Sequence, residues 1–451
     1  MKLITAFLMV FILAFSSAAF FMGGFSIDGA KEVGRALSES TLDYPNNVWP
    51  GSGWKDLLVV MLDNEGKKAF VWNRDQEGGV GEVSYSALPP NLRTDGNWSR
   101  SKWKERIALS VALEKSNYDI DDILILLCHE GFHIVGQALW KSKSGATFRG
   151  DIYPENWRPR YLRRMIMDAL YRAFVKKERG AVGESVYWHN LYSVQFPEEK
   201  NRNFEVDRLE GSAEYVGLFG VVFGRLGSGA SKLKLYDDLR KLFARRWKTK
   251  YNNFHHKGSL KEGESYAIGP LAGFILDLKG IKGWKLRVAG GETPMDVLAK
   301  SVPPLKAAED LGIKEKVIKY YELKNIELKN IIDAYEEKTD SLEYVLIAAP
   351  LDWAAGGSWG RKGFLSFGKK KMIVGLDGKF YSPDSPSNIQ VKGVNAELIF
   401  APYPAGKNIF GYVVFPVKKD KSINNSILTD NIKGYALQLE RDRNTRIYYL
   451  K

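Results

Sequence analysis

The feature that most constrains the fold of this chain is the sequence His-Glu-Gly-Phe-His at 129–133. It follows an acidic pair at 121–122 and an apolar run at 123–127, which is the pattern of a helix that starts with acidic residues and then enters a core. Residues four apart share one face of an α-helix, so His129 and His133 present their imidazoles side by side. The segment therefore predicts a buried helix with two histidines directed at one point.

Two histidines at this spacing around a glutamate are typical of a hydrolytic zinc site. The chain has 5 histidines among 451 residues, so the arrangement is uncommon by chance. Glu130 would lie beside the metal-bound water and take its proton. The alternative is a pair of core histidines with a surface glutamate between them. We prefer the metal interpretation and expect one Zn²⁺ per chain.

A catalytic zinc site usually takes three protein ligands and leaves a fourth position for water. The segment 205–216 is helical in pattern, and Glu210 and Glu214 lie one turn apart on it. This pair offers one metal ligand and one carboxylate that accepts a hydrogen bond from a ligand histidine. Gly211 and Ala213 are small enough to let the histidine helix approach. The alternative, for Glu214 in particular, is an ordinary solvated acidic face.

These motifs resemble those of the gluzincin metallopeptidases, most closely the aminopeptidase N-like branch. The second motif of that branch is Glu-Gly-x-Ala, which is matched here at 210–213. The resemblance implies that His129 and His133 are the histidine ligands of a zinc ion. It also implies that Glu210 is the carboxylate ligand and Glu130 the general base.

A third motif concerns the transition state. The same branch carries a catalytic tyrosine in a Tyr-x-x-Gly element, which is similar to 266–269 in this chain. The resemblance implies that Tyr266 donates a hydrogen bond to the oxyanion; a core or helix-capping tyrosine is the alternative. The likeness extends over roughly 101–280, but the Gly-x-Met-Glu-Asn segment that binds the substrate amine in that branch does not occur in the sequence. Exopeptidase and endopeptidase activity therefore both stay open.

Other residues compete for a role at this site. His255 and His256 lie upstream of Tyr266, and one of them could contact the transition state or replace Glu210 as a ligand. A surface or capping role is the simpler interpretation for both. Cys128 precedes a ligand histidine by one position, so it is expected to face away from the metal as a buried thiol.

The first 22 residues have the pattern of a signal peptide, with one lysine, an apolar run and small residues at 16–19. We expect cleavage after Ala19 and a secreted or cell-surface/periplasmic protein, with an uncleaved anchor as the alternative. No second apolar stretch of spanning length follows in the sequence, so stable membrane insertion after cleavage is not expected. A single cysteine rules out a scaffold of internal disulfide bonds.

The predicted fold class is α+β, with a mainly helical zincin-like catalytic domain between a small N-terminal β region and a C-terminal β domain. Alternating apolar residues and turns at 49–85 predict the first sheet, and short β runs after 345 predict the last. Apolar residues at three- and four-residue spacing predict helices near 101–115, 121–141, 157–178, 203–224, 232–247, 265–278 and 293–301.

The predicted domain organisation follows from these patterns. It consists of a signal peptide (1–19), an N-terminal β-rich region (20–100), the catalytic domain (101–305), a charged and solvated helical connector (306–344) and a C-terminal β domain (345–451).

Composition limits the partners. The chain has 66 Lys and Arg against 53 Asp and Glu, a net charge of +13 that is spread along the sequence, so no nucleic-acid partner is expected. We predict a secreted zinc metallopeptidase acting on a peptide or protein substrate, with its oligomeric state open. The alternatives are a non-catalytic binding or surface protein that keeps the zincin fold, and a zinc hydrolase of a non-peptide substrate.

Overall fold

Two compact units make up the chain. The first contains Met1–Thr147 and Leu162–Ala308, and the second contains Phe148–Tyr161 and Glu309–Lys451. The predicted signal peptide and the histidines at 255–256 lie outside the described residues. The computed structural model describes residues 27–42, 48–50, 54, 57–73, 79–93, 98–113, 120–141, 151–227, 229–252, 262–341, 343–350, 359–367, 371–381, 388–400, 411–418, 426–429, 432–435, 439–441 and 447–450.

A mixed sheet lies in the first unit. Its strands, among the residues described, are β1 (Leu57–Asp63), β2 (Lys68–Asn73), β3 (Val80–Ser84), β4 (Trp98–Trp103) and β5 (Arg106–Ala112). Their order is β3-β2-β1-β5-β4, with β1 and β5 parallel and the other neighbours antiparallel. All seven residues of β1 are buried, and this mostly apolar sequence suits the centre of a sheet that is covered on both faces.

The predicted helix near 101–115 is wrong, because most of this segment forms the β4–β5 hairpin. Trp103 pairs with Arg106 across a two-residue turn. Lys104 and Glu105 form that turn with φ angles of 48° and 59°, the left-handed conformation that a tight hairpin requires. Such turns ordinarily contain Asn or Gly, so a Lys-Glu pair carries little hairpin signal in the sequence.

The region that follows the sheet is mainly helical, so the fold is α+β, as predicted. The helices predicted near 121–141, 157–178, 203–224, 232–247, 265–278 and 293–301 are confirmed with shifted ends, whereas the helices at 27–42, 181–195 and 284–289 were not predicted. The helices between residues 27 and 301, where the chain is described, are α1 (Ile27–Leu42), α2 (Ile120–Val135), α3 (Trp157–Phe174), α4 (Ala181–Gln195), α5 (Pro197–Leu226), α6 (Lys232–Arg246), α7 (Glu262–Leu278), α8 (Trp284–Ala289) and α9 (Pro294–Ser301).

Helix α5 is central to the first unit and packs against α1, α2, α6 and α7. Glycines bring two of these neighbours to backbone contact. A Cβ atom on Gly211 would lie 2.9 Å from the Cα atom of Gly269 on α7, and one on Gly217 would lie 3.0 Å from the carbonyl oxygen of Ile125 on α2. The helix that carries Glu210 is therefore held tightly against both α2 and α7.

The second unit combines one long helix with strands. Helix α10 (Leu311–Asp340) falls in the predicted connector, but it buries Leu328, Ile332 and Tyr335 together, so one face is packed rather than solvated. The described strands of its sheet are β6 (Asp151–Tyr153), β7 (Tyr344–Pro350), β8 (Trp359–Phe367), β9 (Lys371–Tyr381), β10 (Asn388–Phe400), β11 (Gly411–Lys418), β12 (Ser426–Thr429), β13 (Ile432–Tyr435), β14 (Leu439–Arg441) and β15 (Ile447–Leu450). They follow the order β14-β15-β7-β11-β10-β9-β8-β6, and β13 joins β10 to β12.

Among the described residues, no helix is both long enough and apolar enough to cross a bilayer.

Candidate metal centre

Helix α2 carries the His-Glu-Gly-Phe-His segment into the core. Its first turn is anchored by ion pairs, in which Asp121 contacts Arg225 and Arg245, and Asp122 accepts from Arg246 at 2.5 Å. Acidic residues in the first turn of a helix are also favoured by the helix dipole. The sequence pattern and these pairs together fix where α2 begins, and with it the depth of the histidines in the core.

The two histidines of α2 converge as their spacing predicts. His129 is 4% exposed, and His133 is half-buried. Their Nε2 atoms lie 3.0 Å apart. One edge of each ring therefore faces the same point.

Glu210 on α5 supplies a third atom to this point. Its Oε2 lies 3.0 Å from His129 Nε2 and 3.3 Å from His133 Nε2. Ligand atoms about 2.0–2.1 Å from a tetrahedral zinc ion lie about 3.3 Å from one another. The three groups form a candidate metal-binding set, and its spacing fits an ion of that size.

The other ring nitrogen of His129 faces Glu214. Its Nδ1 lies 3.3 Å from Glu214 Oε2, so a proton on Nδ1 is donated to this carboxylate and Nε2 is left to bind a metal. The other oxygen of Glu214 accepts from Arg246 Nη2 at 3.2 Å and from Tyr251 Oη at 3.1 Å. Burial alone would raise the pKa of Glu214, but the Arg246 charge and the contact with His129 lower it to about 2.

Burial and hydrogen bonding shift the pKa values of two candidate ligands, His129 and Glu210. Burial lowers the pKa of His129, but its hydrogen bonds with Glu210 and Glu214 outweigh this effect and raise the pKa to about 10. Burial raises the pKa of Glu210, while the two histidines lower it to a net value well below its ordinary range. A proton and a metal ion would compete for Nε2 of His129, so metal binding there would release a proton.

Tyr266 on α7 reaches the same cluster. Its hydroxyl donates to Glu210 Oε2 at 2.7 Å, and its ring stacks on His129 with centroids 5.4 Å apart and planes inclined by 6°. The contact between Gly211 and Gly269 makes this possible, because it brings α7 against α5 close to both residues. The Glu-Gly-x-Ala and Tyr-x-x-Gly segments therefore meet through their glycines.

A buried arginine joins three helices beside the cluster. Arg163 on α3 donates to both carboxylate oxygens of Asp207 at 2.8 and 2.6 Å and to Glu264 at 2.5 Å. Ser265 also donates to Asp207, at 2.5 Å. Arg163 is 2% exposed.

The structure brings together most of the residues singled out in the sequence. His129, His133 and Glu210 contact one another, and Tyr266 contacts His129 and Glu210. Glu130 follows His129 on α2 and is 9% exposed.

Cys128 is fully buried on α2, as its position in the sequence led us to expect. Burial raises the pKa of its thiol to about 12, so the group is un-ionised at neutral pH.

Three residues at the cluster were missed by sequence reasoning. Gln137 places its Oε1 2.7 Å from His133 Nδ1. Its spacing of four residues from His133 could have indicated this contact. Arg246 and Tyr251 reach Glu214 from the end of α6 and from the short helical turn after it, Trp247–Tyr251, so only the tertiary structure reveals them.

Comparison of the chain with protein-family models, with curated proteins and with solved structures finds no match.

Proposed function

We propose that this protein is a zinc-dependent metallopeptidase whose metal is held by His129, His133 and Glu210. The observation that carries the proposal is the convergence of two imidazole nitrogens and one carboxylate oxygen, all within 4.8 Å of one another. Zinc commonly binds to this donor set, and three protein ligands leave a fourth position for water or substrate. The hydrogen bond between His129 and Glu214 supports the same assignment, because metal-bound histidines are commonly oriented by a carboxylate.

A zinc ion held there would lower the pKa of a water molecule and polarise the carbonyl group of the substrate. Glu130 follows a ligand histidine, as the general base of an HExxH site does. We assign it the role of taking the proton from the attacking water and passing it to the leaving amine. Tyr266 already donates to Glu210, and the same hydroxyl can donate to the oxygen that gains negative charge during attack.

The resemblance to the gluzincins and their zincin-like fold supports the choice of peptide bonds. The three motifs occur along the chain in the order that this superfamily uses, and each of them supplies a residue to one cluster, which contains His129, His133, Glu210 and Tyr266. A peptide or protein is therefore the proposed substrate, and the signal-like sequence at 1–22 supports secretion or exposure at the cell surface. The spread of the basic charge speaks against a nucleic-acid partner.

Zinc analysis of the dialysed wild-type protein and of two histidine variants tests the metal site. We expect about one zinc ion per chain in the wild type and loss of zinc in His133→Ala. His189→Ala is a matched control, because His189 is another buried histidine and contacts Asp296. A folded wild-type chain that takes up no zinc from an excess would contradict the proposal.

Peptide-library hydrolysis tests the reaction. Glu130→Gln should keep its zinc and lose nearly all turnover, because the amide cannot take the water proton. Glu184→Gln is the control, since Glu184 pairs with Arg172. Ordinary turnover by a zinc-loaded Glu130→Gln variant would refute the role of Glu130.

A further inference from the structure

The side chain of Gln137 links His133 to the helix that carries Glu210. Gln137 lies just past the end of α2 and is 8% exposed. Its Oε1 is 2.7 Å from His133 Nδ1, while its Nε2 is 2.9 Å from the carbonyl oxygen of Leu209 and 2.9 Å from Ser212 Oγ. Leu209 and Ser212 lie one and two positions from Glu210 on α5. The amide group of Gln137 thus contacts the candidate ligand His133 and the turn of α5 that carries a second candidate ligand, Glu210.

The chemistry of these contacts determines the direction of each hydrogen bond. The carbonyl oxygen of Leu209 can only accept, so the amide nitrogen of Gln137 faces it. Ser212 Oγ donates its own proton to the carbonyl oxygen of Arg208 at 2.6 Å, so it also accepts from Gln137. The amide oxygen is left to face His133, and because it can only accept, His133 Nδ1 carries the proton. The lone pair of His133 Nε2 then points toward the two other candidate ligand atoms.

We infer that Gln137 is a positioning residue, which holds His133 in the Nδ1–H tautomer and ties that ring to the turn of α5 bearing Glu210. The inference rests on the proposed metal site and assigns a different orienting group to each of its two histidines. The ring of His129 is oriented by the anionic Glu214, whereas the ring of His133 is oriented by a neutral amide. A neutral partner orients the ring without adding a buried carboxylate that would need a compensating charge of its own, as Glu214 has in Arg246.

Two substitutions separate the acceptor role of Gln137 from its packing role. Gln137→Met keeps the length of the side chain but removes the acceptor, so metal affinity should fall about 10- to 100-fold. Gln137→Glu keeps an oxygen that accepts from His133, so it should preserve the tautomer, while loss of the amide donor that faces Leu209 and Ser212 should lower the stability of the fold. Gln195→Met, at an exposed position, controls for the change of side chain.

Two measurements provide the readout. Competition with a chromophoric chelator gives the affinity for Zn²⁺. The ¹⁵N spectrum of the metal-free chain, labelled at histidine, reports which ring nitrogen of His133 carries the proton, and His133→Ala assigns the signal. We expect the Nδ1–H form in the wild type and in Gln137→Glu, and its loss in Gln137→Met.

An unchanged tautomer and wild-type zinc affinity in Gln137→Met would overturn the inference, as would loss of the tautomer in a folded Gln137→Glu variant. Failure of the wild-type chain to take up zinc would instead overturn the proposed function. In that case the ¹⁵N spectrum of His133 would still decide whether Gln137 orients the ring.

Discussion

Gly269→Ala should loosen the contact on which the candidate site depends. The added Cβ atom would lie 2.2 Å from the Cα atom of Gly211, 2.6 Å from its carbonyl carbon and 2.7 Å from its oxygen. These are backbone atoms, so they cannot rotate away. An ordinary carbon–carbon contact is about 3.6 Å, and restoring it requires α7 to move from α5 by roughly 1.4 Å.

The size of the effect follows from this displacement. Overpacking costs about 1–3 kcal/mol, while Ala in place of Gly in a helix returns about 1 kcal/mol. A shift of roughly 1.4 Å is also enough to break the 2.7 Å hydrogen bond between Tyr266 and Glu210, which contributes about 1 kcal/mol. We expect the free energy of unfolding to fall by about 1–3 kcal/mol, which lowers Tm by roughly 3–10 °C.

Thermal unfolding monitored by circular dichroism, together with zinc affinity, checks this expectation. Gly211→Ala should be milder, because its Cβ atom would come no closer than 2.9 Å to Gly269. Gly229→Ala is the control, since nothing lies within 4 Å of the added atom. The expected order of Tm is Gly229→Ala, then Gly211→Ala, then Gly269→Ala as the lowest. A Gly269→Ala variant as stable as Gly229→Ala and with wild-type zinc affinity would refute the reasoning.

Four further outcomes are expected. Tyr266→Phe should retain zinc and lower kcat by about 10²-fold or more with little change in KM, as measured in peptide hydrolysis; an unchanged kcat would remove Tyr266 from the mechanism. Glu214→Gln should weaken zinc binding about 10- to 100-fold in a chelator competition, and equal affinity would show that the carboxylate charge does not matter. Zinc at roughly 1,000 times its Kd should stabilise the folded state by about 4 kcal/mol, and a chelator should remove this stabilisation. Calorimetry should therefore show a lower Tm after chelation, and the same Tm with and without zinc would count against the site. Burial raises the pKa of Asp296, but hydrogen bonds with His189 and Lys200 outweigh this effect and hold the pKa below its ordinary value of 3.8. The ionised carboxylate therefore stabilises the fold above pH 3.8, and this stabilisation is lost as the pH falls below that value. Acid titration of Asp296→Asn should accordingly show a smaller loss of stability below that pH than the wild type, and parallel curves would contradict this.

Part of the candidate site was readable in the sequence because it depends on local geometry. The spacing of His129 and His133 places them on one face of any helix, and the same holds for Glu210 and Glu214. The apolar run of β1 likewise predicts a central buried strand wherever it pairs. The resemblance to known motifs added Tyr266, which lies in contact with Glu210.

The remaining features depend on contacts between distant segments. Arg246 reaches Glu214 from another helix, and Gln137 contacts the backbone of α5 one residue before Glu210. The hairpin at Lys104 and Glu105 was missed for a different reason, since neither residue favours the backbone conformation that pairing of β4 with β5 imposes.

Spacing along the chain indicates which helical faces carry possible metal ligands, because a period of 3.6 residues belongs to every α-helix. Whether these faces meet depends on the packing of the helices against one another. Gly211 and Gly269 allow α5 and α7 to touch at the backbone, and Gly217 does the same for α5 and α2. Convergence of His129 with Glu210 is a product of that packing, since the free energy that holds helices this close comes from contacts between residues far apart in the chain.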